Sequence, residues 1–185
     1  MPSESEMRLH RACFTGHRPE KLTQPESEII AGLERETRKA YADGINVFIT
    51  GMARGVDIWA AEIVLKLRKE YKDIKLICAS PYDGFEKKWS ADWQKRYNAI
   101  WKSADLQKFI CPGFSMGCFQ IRNEWMVNHA SRVIAVFNGE QGGTKNTIDY
   151  AKSMNVMCAF VKYSLQGTTQ GRYLTGGVPP VRFSM

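Results

Sequence analysis

The chain has 185 residues, 44% of them apolar and 24% charged, and a formal net charge of +7. That composition excludes a disordered or fibrous chain, and the length suits one domain with a full core. The charge admits a nucleic acid, a membrane surface or a phosphorylated small molecule as partner, but the basic residues are scattered, so a solvated surface explains it equally well.

The apolar periodicity predicts alternating strands and helices. His10 to Thr15 reads as a first strand. A helix follows from Pro25 to about Asp43, with Ile29, Leu33, Thr37, Ala40 and Tyr41 at helical spacing and Gly44 as its stop. Asn46 to Thr50 is a second strand, Val56 to Tyr71 a second helix, and Ile74 to Ala79 a third strand ended by Ser80-Pro81. Phe85 to Ala104 reads as mostly helical and carries Trp89, Trp93, Tyr97 and Trp101; Leu106 to Ile110 is a short fourth strand. After the break at Cys111-Pro112-Gly113 come a loop and helix over Phe114 to Ser131, a fifth strand from Arg132 to Phe137, a helix from Thr144 to Met154, and a sixth strand from Val156 to Val161. Lys162 to Met185, rich in Gly, Thr and Pro, is expected to be an extension or tail.

Strand–helix alternation implies parallel pairing with right-handed crossovers. Strands that are apolar without strict alternation belong to a sheet covered on both faces. The expected fold is therefore a three-layer, doubly wound, mainly parallel α/β sheet of the Rossmann type, one domain over 1–185 with its core at about 10–161. Such sheets bind ligands beyond the carboxyl ends of their strands.

Three glycine turns fall at those ends: Thr15-Gly16-His17-Arg18-Pro19, Thr50-Gly51-Met52-Ala53-Arg54-Gly55, and Gly142-Gly143-Thr144. Glycines let backbone approach a phosphate, and the free N–H groups of a helix's first turn point at it. Arg18 suits a bidentate phosphate contact, and His17 a hydrogen bond or proton transfer. Asp57 has two readings: an acid suited to the positive end of its helix, or a carboxylate that takes a ribose hydroxyl or base N–H. Arg122 and Asn123 open the helix before the fifth strand, and Arg122 is placed for a phosphate; the bland alternative is a surface arginine paired with Glu124. Tyr82, just past Ser80-Pro81, is the candidate for stacking on a base, whereas Trp89, Trp93 and Trp101 read as packing. The five cysteines show no C-x-x-C spacing, and Cys13, Cys78 and Cys158 lie in apolar runs, so neither a metal site nor a disulfide framework is expected. No apolar stretch nears the ~20 residues of a membrane helix. The polar N-terminus lacks a signal-peptide pattern, so a cytoplasmic protein with no membrane partner is expected.

With these residues in hand, the chain resembles the YpsA-like branch of the SLOG superfamily, Rossmann-like proteins related to the LOG and DprA families. The resemblance rests on Cys13 to Pro19, Gly51 to Glu62, Arg122 to Val127 and Gly142-Gly143-Thr144. It implies a pocket for a nucleotide or a nucleotide-derived molecule of the NAD or ADP-ribose kind, held as by a sensor, carrier or sink. LOG enzymes cleave the N-glycosidic bond of nucleoside 5′-monophosphates; their P-G-G-x-G-T-x-x-E segment would lie over Gln141 to Asp149. There the glycines and Thr144 fit, but Thr147 and Ile148 stand where the glutamate is wanted. An N-glycosidase would need Asp57, Glu62 or Asp149 in its place. DprA-like relatives imply single-stranded DNA, although this chain shows no dense basic–aromatic stripe. No cofactor is implied. A homo-oligomer paired through the Trp89 to Trp101 stretch is an open expectation.

Overall fold

The computed structural model describes residues 2–162, so the expected extension lies outside the described residues except for Lys162. Six strands form one parallel sheet: β1 (Arg11–Gly16), β2 (Val47–Thr50), β3 (Lys75–Ser80), β4 (Leu106–Phe109), β5 (Arg132–Val136) and β6 (Met157–Phe160). Their spatial order is β4-β3-β2-β1-β5-β6. The chain therefore winds outward from β1 to β4, returns to lay β5 on the other side of β1, and winds outward again. The β1/β5 junction is the switch point at which a doubly wound sheet opens a crevice.

The helices are α1 (Glu4–Leu9), α2 (Glu26–Ala42), α3 (Val56–Glu70), α4 (Ala91–Ser103), α5 (Cys118–Asn128) and α6 (Gly143–Ser153), with a 3-10 turn at Pro19–Lys21. Successive strand residues point to opposite faces. Phe14, Phe48, Leu76, Ile134 and Val136 pack beneath α2, α3 and α4 with Ile29, Leu33, Trp59, Val64 and Ile100. Cys13, Ile49, Ile77, Val133 and Ala135 pack on the other face with Met126 and Val127 of α5 and Ile148 and Ala151 of α6. Both faces of the central strands are thus apolar, and those strands read as apolar runs for that reason, whereas the edge strand β4 is exposed along its length.

The elements match the sequence reading closely, with two main differences. The helix expected from Phe85 starts only at Ala91, because turns through Gly84 (φ +78°) fill the preceding stretch. α1 was not anticipated; Ser3 and Glu6 close a capping box at its start. Trp89, Trp93 and Trp101 pack partly buried against the core, in keeping with their reading as packing residues, and Trp101 stacks on Phe109 at 4.7 Å.

Candidate functional site

A cavity of about 390 Å³ opens at the carboxyl rim of the sheet, within the ~300–1,000 Å³ usual for small-molecule sites. Gly16, His17, Arg18, Asp57, Arg122, Asn123, Gly142, Gly143 and Thr144 all line it. The loops after β1, β2 and β5 converge there with one side of α5, which starts at Cys118, so that Arg122 and Asn123 stand in its second turn rather than opening it.

The loops are fastened to one another before they meet any ligand. Gly55 has φ +88°, and a Cβ there would lie 2.8 Å from the His17 carbonyl oxygen and from Pro19 Cδ, so the β2 loop closes tightly over the β1 loop. The Gly51 carbonyl accepts a hydrogen bond from Arg122 Nη1. Neither Gly51 nor Gly55 lines the cavity; they serve close packing of the loops. Met52, between them, is buried with φ +63°, a left-handed conformation rarely taken by side chains of its size. It is held there by tethers on either side: Met52 N–H donates to Thr50 Oγ1 at 3.3 Å, and Ala53 N–H donates to Asp57 Oδ2 at 3.2 Å. On the far side, Asn138 N–H donates to His17 Nε2 at 3.3 Å and Asn138 Nδ2 to the Lys21 carbonyl at 3.0 Å. The β5 loop is thereby tied to the β1 loop across the switch point.

His17 stacks on Phe137 with ring centroids 5.9 Å apart. Burial lowers its pKa, with Glu140 acting against and Lys21 with that shift. A neutral ring with Nε2 as acceptor agrees with the hydrogen bond from Asn138.

Asp57 and Arg122 form a buried pair, Nη1 to Oδ2 3.8 Å. Burial pushes the Asp57 carboxyl up to about 6, against the pull of Arg122 and the Ala53 N–H. Arg122 Nε donates to Asn123 Oδ1 at 2.8 Å. Arg122 is thus neither a surface residue nor paired with Glu124. Part of its charge is already answered by Asp57, which also lines the cavity.

The remaining positive character comes from the rim. Arg54 is paired with Glu20 at 2.9 Å, whereas Arg18 and Lys21 line the cavity without a carboxylate partner among the described residues. At the start of α6, no side chain caps the helix. Thr144 is only 5% exposed, and its hydroxyl has no hydrogen-bond partner among the described residues. An uncapped helix start, the Thr144 hydroxyl without a protein partner, and two cations without a carboxylate among the described residues are the kinds of group that suit an anion.

Some sequence candidates fall elsewhere. Tyr82 does not line the cavity; its ring packs against Phe85, Phe114 and Phe119. Glu62 is held by Arg96 through two hydrogen bonds of 2.8 and 2.7 Å, and Asp149 pairs with Lys145. Of the three acids considered for glycosidic cleavage, only Asp57 reaches the cavity. Sequence reasoning missed Lys21, Arg54, Phe85, Phe119, Met126 and Gln141. Phe119 carried a usable signal, since it stands one helical turn before Arg122 and two before Met126. No group of three or more metal-ligating side chains exists among the described residues. No described helix is long and apolar enough to cross a membrane.

A parallel doubly wound sheet with its cavity at the switch point defines a Rossmann-like α/β protein. The YpsA family model, described as the YspA SLOG family, matches residues 12–166, so the chain belongs to that family. It is 38% identical over 117 residues to the SPbeta prophage-derived protein YoqJ of Bacillus subtilis strain 168, covering 57% of this chain and 68% of that protein. It is 30% identical over 116 residues to the UPF0398 protein SH1465 of Staphylococcus haemolyticus, covering 59% of this chain and 62% of that one. Among solved structures, DNA processing protein A (DprA) from Streptococcus pneumoniae superposes with a TM-score of 0.57 at 15% identity, over 86% of this chain and 53% of that one. DNA processing protein A from Helicobacter pylori, in a structure titled for its single-stranded DNA binding mode, superposes with a TM-score of 0.58 at 22% identity, over 88% and 69%. At these identities the two superpositions establish the fold.

Proposed function

We propose that the rim cavity binds a phosphorylated nucleoside or nucleotide-derived small molecule, as in a sensor, carrier or sink. The observation that carries this reading is the uncapped start of α6, where Thr144, with a hydroxyl that no described group engages, lines the same cavity as Arg18 and Lys21. Backbone N–H groups of Gly143 and Thr144 take phosphate oxygens, and Arg18 and Lys21 offset the charge. Asp57, buried and beside Arg122, takes a ribose hydroxyl or a base N–H. Membership of the YpsA SLOG family supports a nucleotide-type ligand.

A thermal-shift panel of nucleoside phosphates, NAD and ADP-ribose analogues tests the reading. A ligand at about a hundred times its Kd adds ~2.7 kcal/mol of stability, several degrees in Tm for a chain of this size. Folded protein with no shift from any of them overturns it.

One observation favours a second reading, N-glycosidic cleavage of a nucleoside 5′-monophosphate: a carboxyl pushed up to about 6 lines the cavity, and a general acid is most useful when its pKa lies near the working pH. Release of free base from such monophosphates, lost in Asp57→Asn, supports cleavage; no base released excludes it. A single-stranded DNA partner, prompted by the DprA superpositions and the net charge of +7, predicts affinity that falls steeply with salt.

A further inference from the structure

The cavity has a second, chemically different end. Phe85 and Phe119 both line it, with ring centroids 5.7 Å apart and planes at 55°. They come from separate elements, Phe85 from the turn after β3 and Phe119 from the first turn of α5. Both rings are braced from behind. Trp89 meets Phe85 edge-on at 4.9 Å, and Tyr82 packs at 5.6 Å from Phe85 and 6.4 Å from Phe119. Cavity-facing aromatic rings held by further aromatic rings form a fixed wall, and their placement costs a ligand no ordering.

The topology sets the distance of this wall from the anion end. Phe85 follows β3 and Gly142 follows β5, and β2 and β1 lie between those strands. Three strand spacings amount to ~14 Å along the rim. α5 bridges the interval, because Phe119, Arg122, Asn123 and Met126 stand at i, i+3, i+4 and i+7 and all line the cavity. From one end to the other the cavity thus presents an aromatic wall, a polar middle at Arg122, Asn123 and Asp57, and an anion cradle at α6. A flat aromatic ring with stackable faces, a hydroxylated linker and a phosphate occur in that order in a nucleoside 5′-phosphate.

We infer that Phe85 and Phe119 form a nucleobase subsite, so the ligand is a nucleoside 5′-phosphate with its base against these rings and its phosphate at Gly143 and Thr144. This rests on the anion-binding reading of the α6 end and goes beyond it, since a free phosphate or a sugar phosphate fills only part of the cavity. Van der Waals contact with a π-face is sequence-tolerant, so the wall selects for a base rather than among bases.

Calorimetric titrations with the four ribonucleoside 5′-monophosphates, ribose 5-phosphate and inorganic phosphate separate the possibilities. The expected result is that at least one nucleotide binds roughly tenfold or more tighter than ribose 5-phosphate. Phe119→Leu then weakens that nucleotide by roughly five- to hundredfold and leaves ribose 5-phosphate unchanged, whereas Phe119→Tyr retains most of the affinity. Phe85→Leu is the second variant if Phe119→Leu does not fold. In the wild type, the base protons of bound nucleotide shift upfield in proton NMR spectra under the ring current of the two phenylalanines. If ribose 5-phosphate binds as tightly as the nucleotides, or the base protons do not move, the base subsite is wrong while the anion cradle stands. If none of the six probes binds, the anion-binding reading itself fails.

Discussion

The Arg122 guanidinium, carried by α5 on one face of the sheet, reaches over the end of β2 to the Asp57 carboxylate on α3 on the other face, with 3.8 Å between Nη1 and Oδ2 and each side chain 7% exposed. The pair forms the floor of the cavity and joins the two helical layers at the rim. A buried ion pair recovers its desolvation cost only through good geometry and further hydrogen bonds. Here the Gly51 carbonyl, Asn123 and the Ala53 N–H supply them.

The pair gives stability a defined pH dependence. Burial holds the Asp57 carboxyl at about 6 in the folded chain, and unfolding returns it to about 3.9. Between those values the folded chain holds a proton that the unfolded chain lacks, so the contribution of this group falls as pH rises. Relative to Asp57→Asn, which does not titrate, the wild type is expected to lose about 3 kcal/mol between roughly pH 3 and pH 7, about 2 kcal/mol of it from pH 4 to pH 6, and to change little above pH 7. Urea titrations of both proteins across that range measure the difference; a difference that is flat, or that rises with pH, contradicts the assignment.

Gly51→Ala tests the packing beneath the floor. A Cβ at this position would lie 2.7 Å from Asp57 Oδ2 and 2.8 Å from Arg122 Cζ, so the pair must separate. A loss of about 1–3 kcal/mol is expected, as for other overpacked sites. Gly113→Ala, where an added Cβ meets nothing within 4 Å, is expected to stay within about 0.5 kcal/mol of wild type. Equal effects in denaturant melts would show that Gly51 is not a close-packing position.

His17 is expected to be neutral at pH 7, with a titration midpoint below that of a free histidine, because burial penalises its charged form. The stability it contributes is present above the unfolded-state pKa of about 6.5 and is lost as pH falls through the lower folded value. Imidazole NMR shifts followed against pH give the midpoint directly; a value above that of free histidine contradicts the assignment.

Two substitutions separate ligand binding from folding. Thr144→Val removes a hydroxyl that no described protein group engages. It is expected to leave Tm within a degree or two while weakening a bound nucleoside 5′-monophosphate roughly tenfold, the loss of one hydrogen bond to a charged group. Arg18→Ala, at an exposed position, is expected to weaken binding severalfold at low salt and less at high salt. Unchanged affinity in both variants would move the anion away from α6.

The sheet and its rim were legible because their signals are local. Apolar runs mark strands covered on both faces, and the turns at Gly16, Gly51 and Gly142 mark where those strands end. What depends on the far side of the fold was not legible. Phe85 and Trp89 are spaced as on a helix, yet they sit in turns, where Phe85 joins the cavity wall and Trp89 braces it. Tyr82 occupies the expected strand-end position, but whether its ring or that of Phe119 faces inward is decided by packing between β3 and α5. The partner of Glu62 lies on another helix, at Arg96, and the partner of Arg122 is 65 residues away at Asp57. The helix at Glu4–Leu9 was within reach, since Ser3 and Glu6 stand at capping-box spacing.

The most direct measurement is a titration of the ¹⁵N-labelled chain with a nucleoside 5′-monophosphate, followed by amide proton–nitrogen correlation spectra. The largest shifts are expected at the backbone amides of Gly143 and Thr144, with smaller ones at His17 and Arg18 in the facing turn. Saturable binding that leaves the 142–144 amides in place and moves signals elsewhere would contradict the anion cradle at the start of α6.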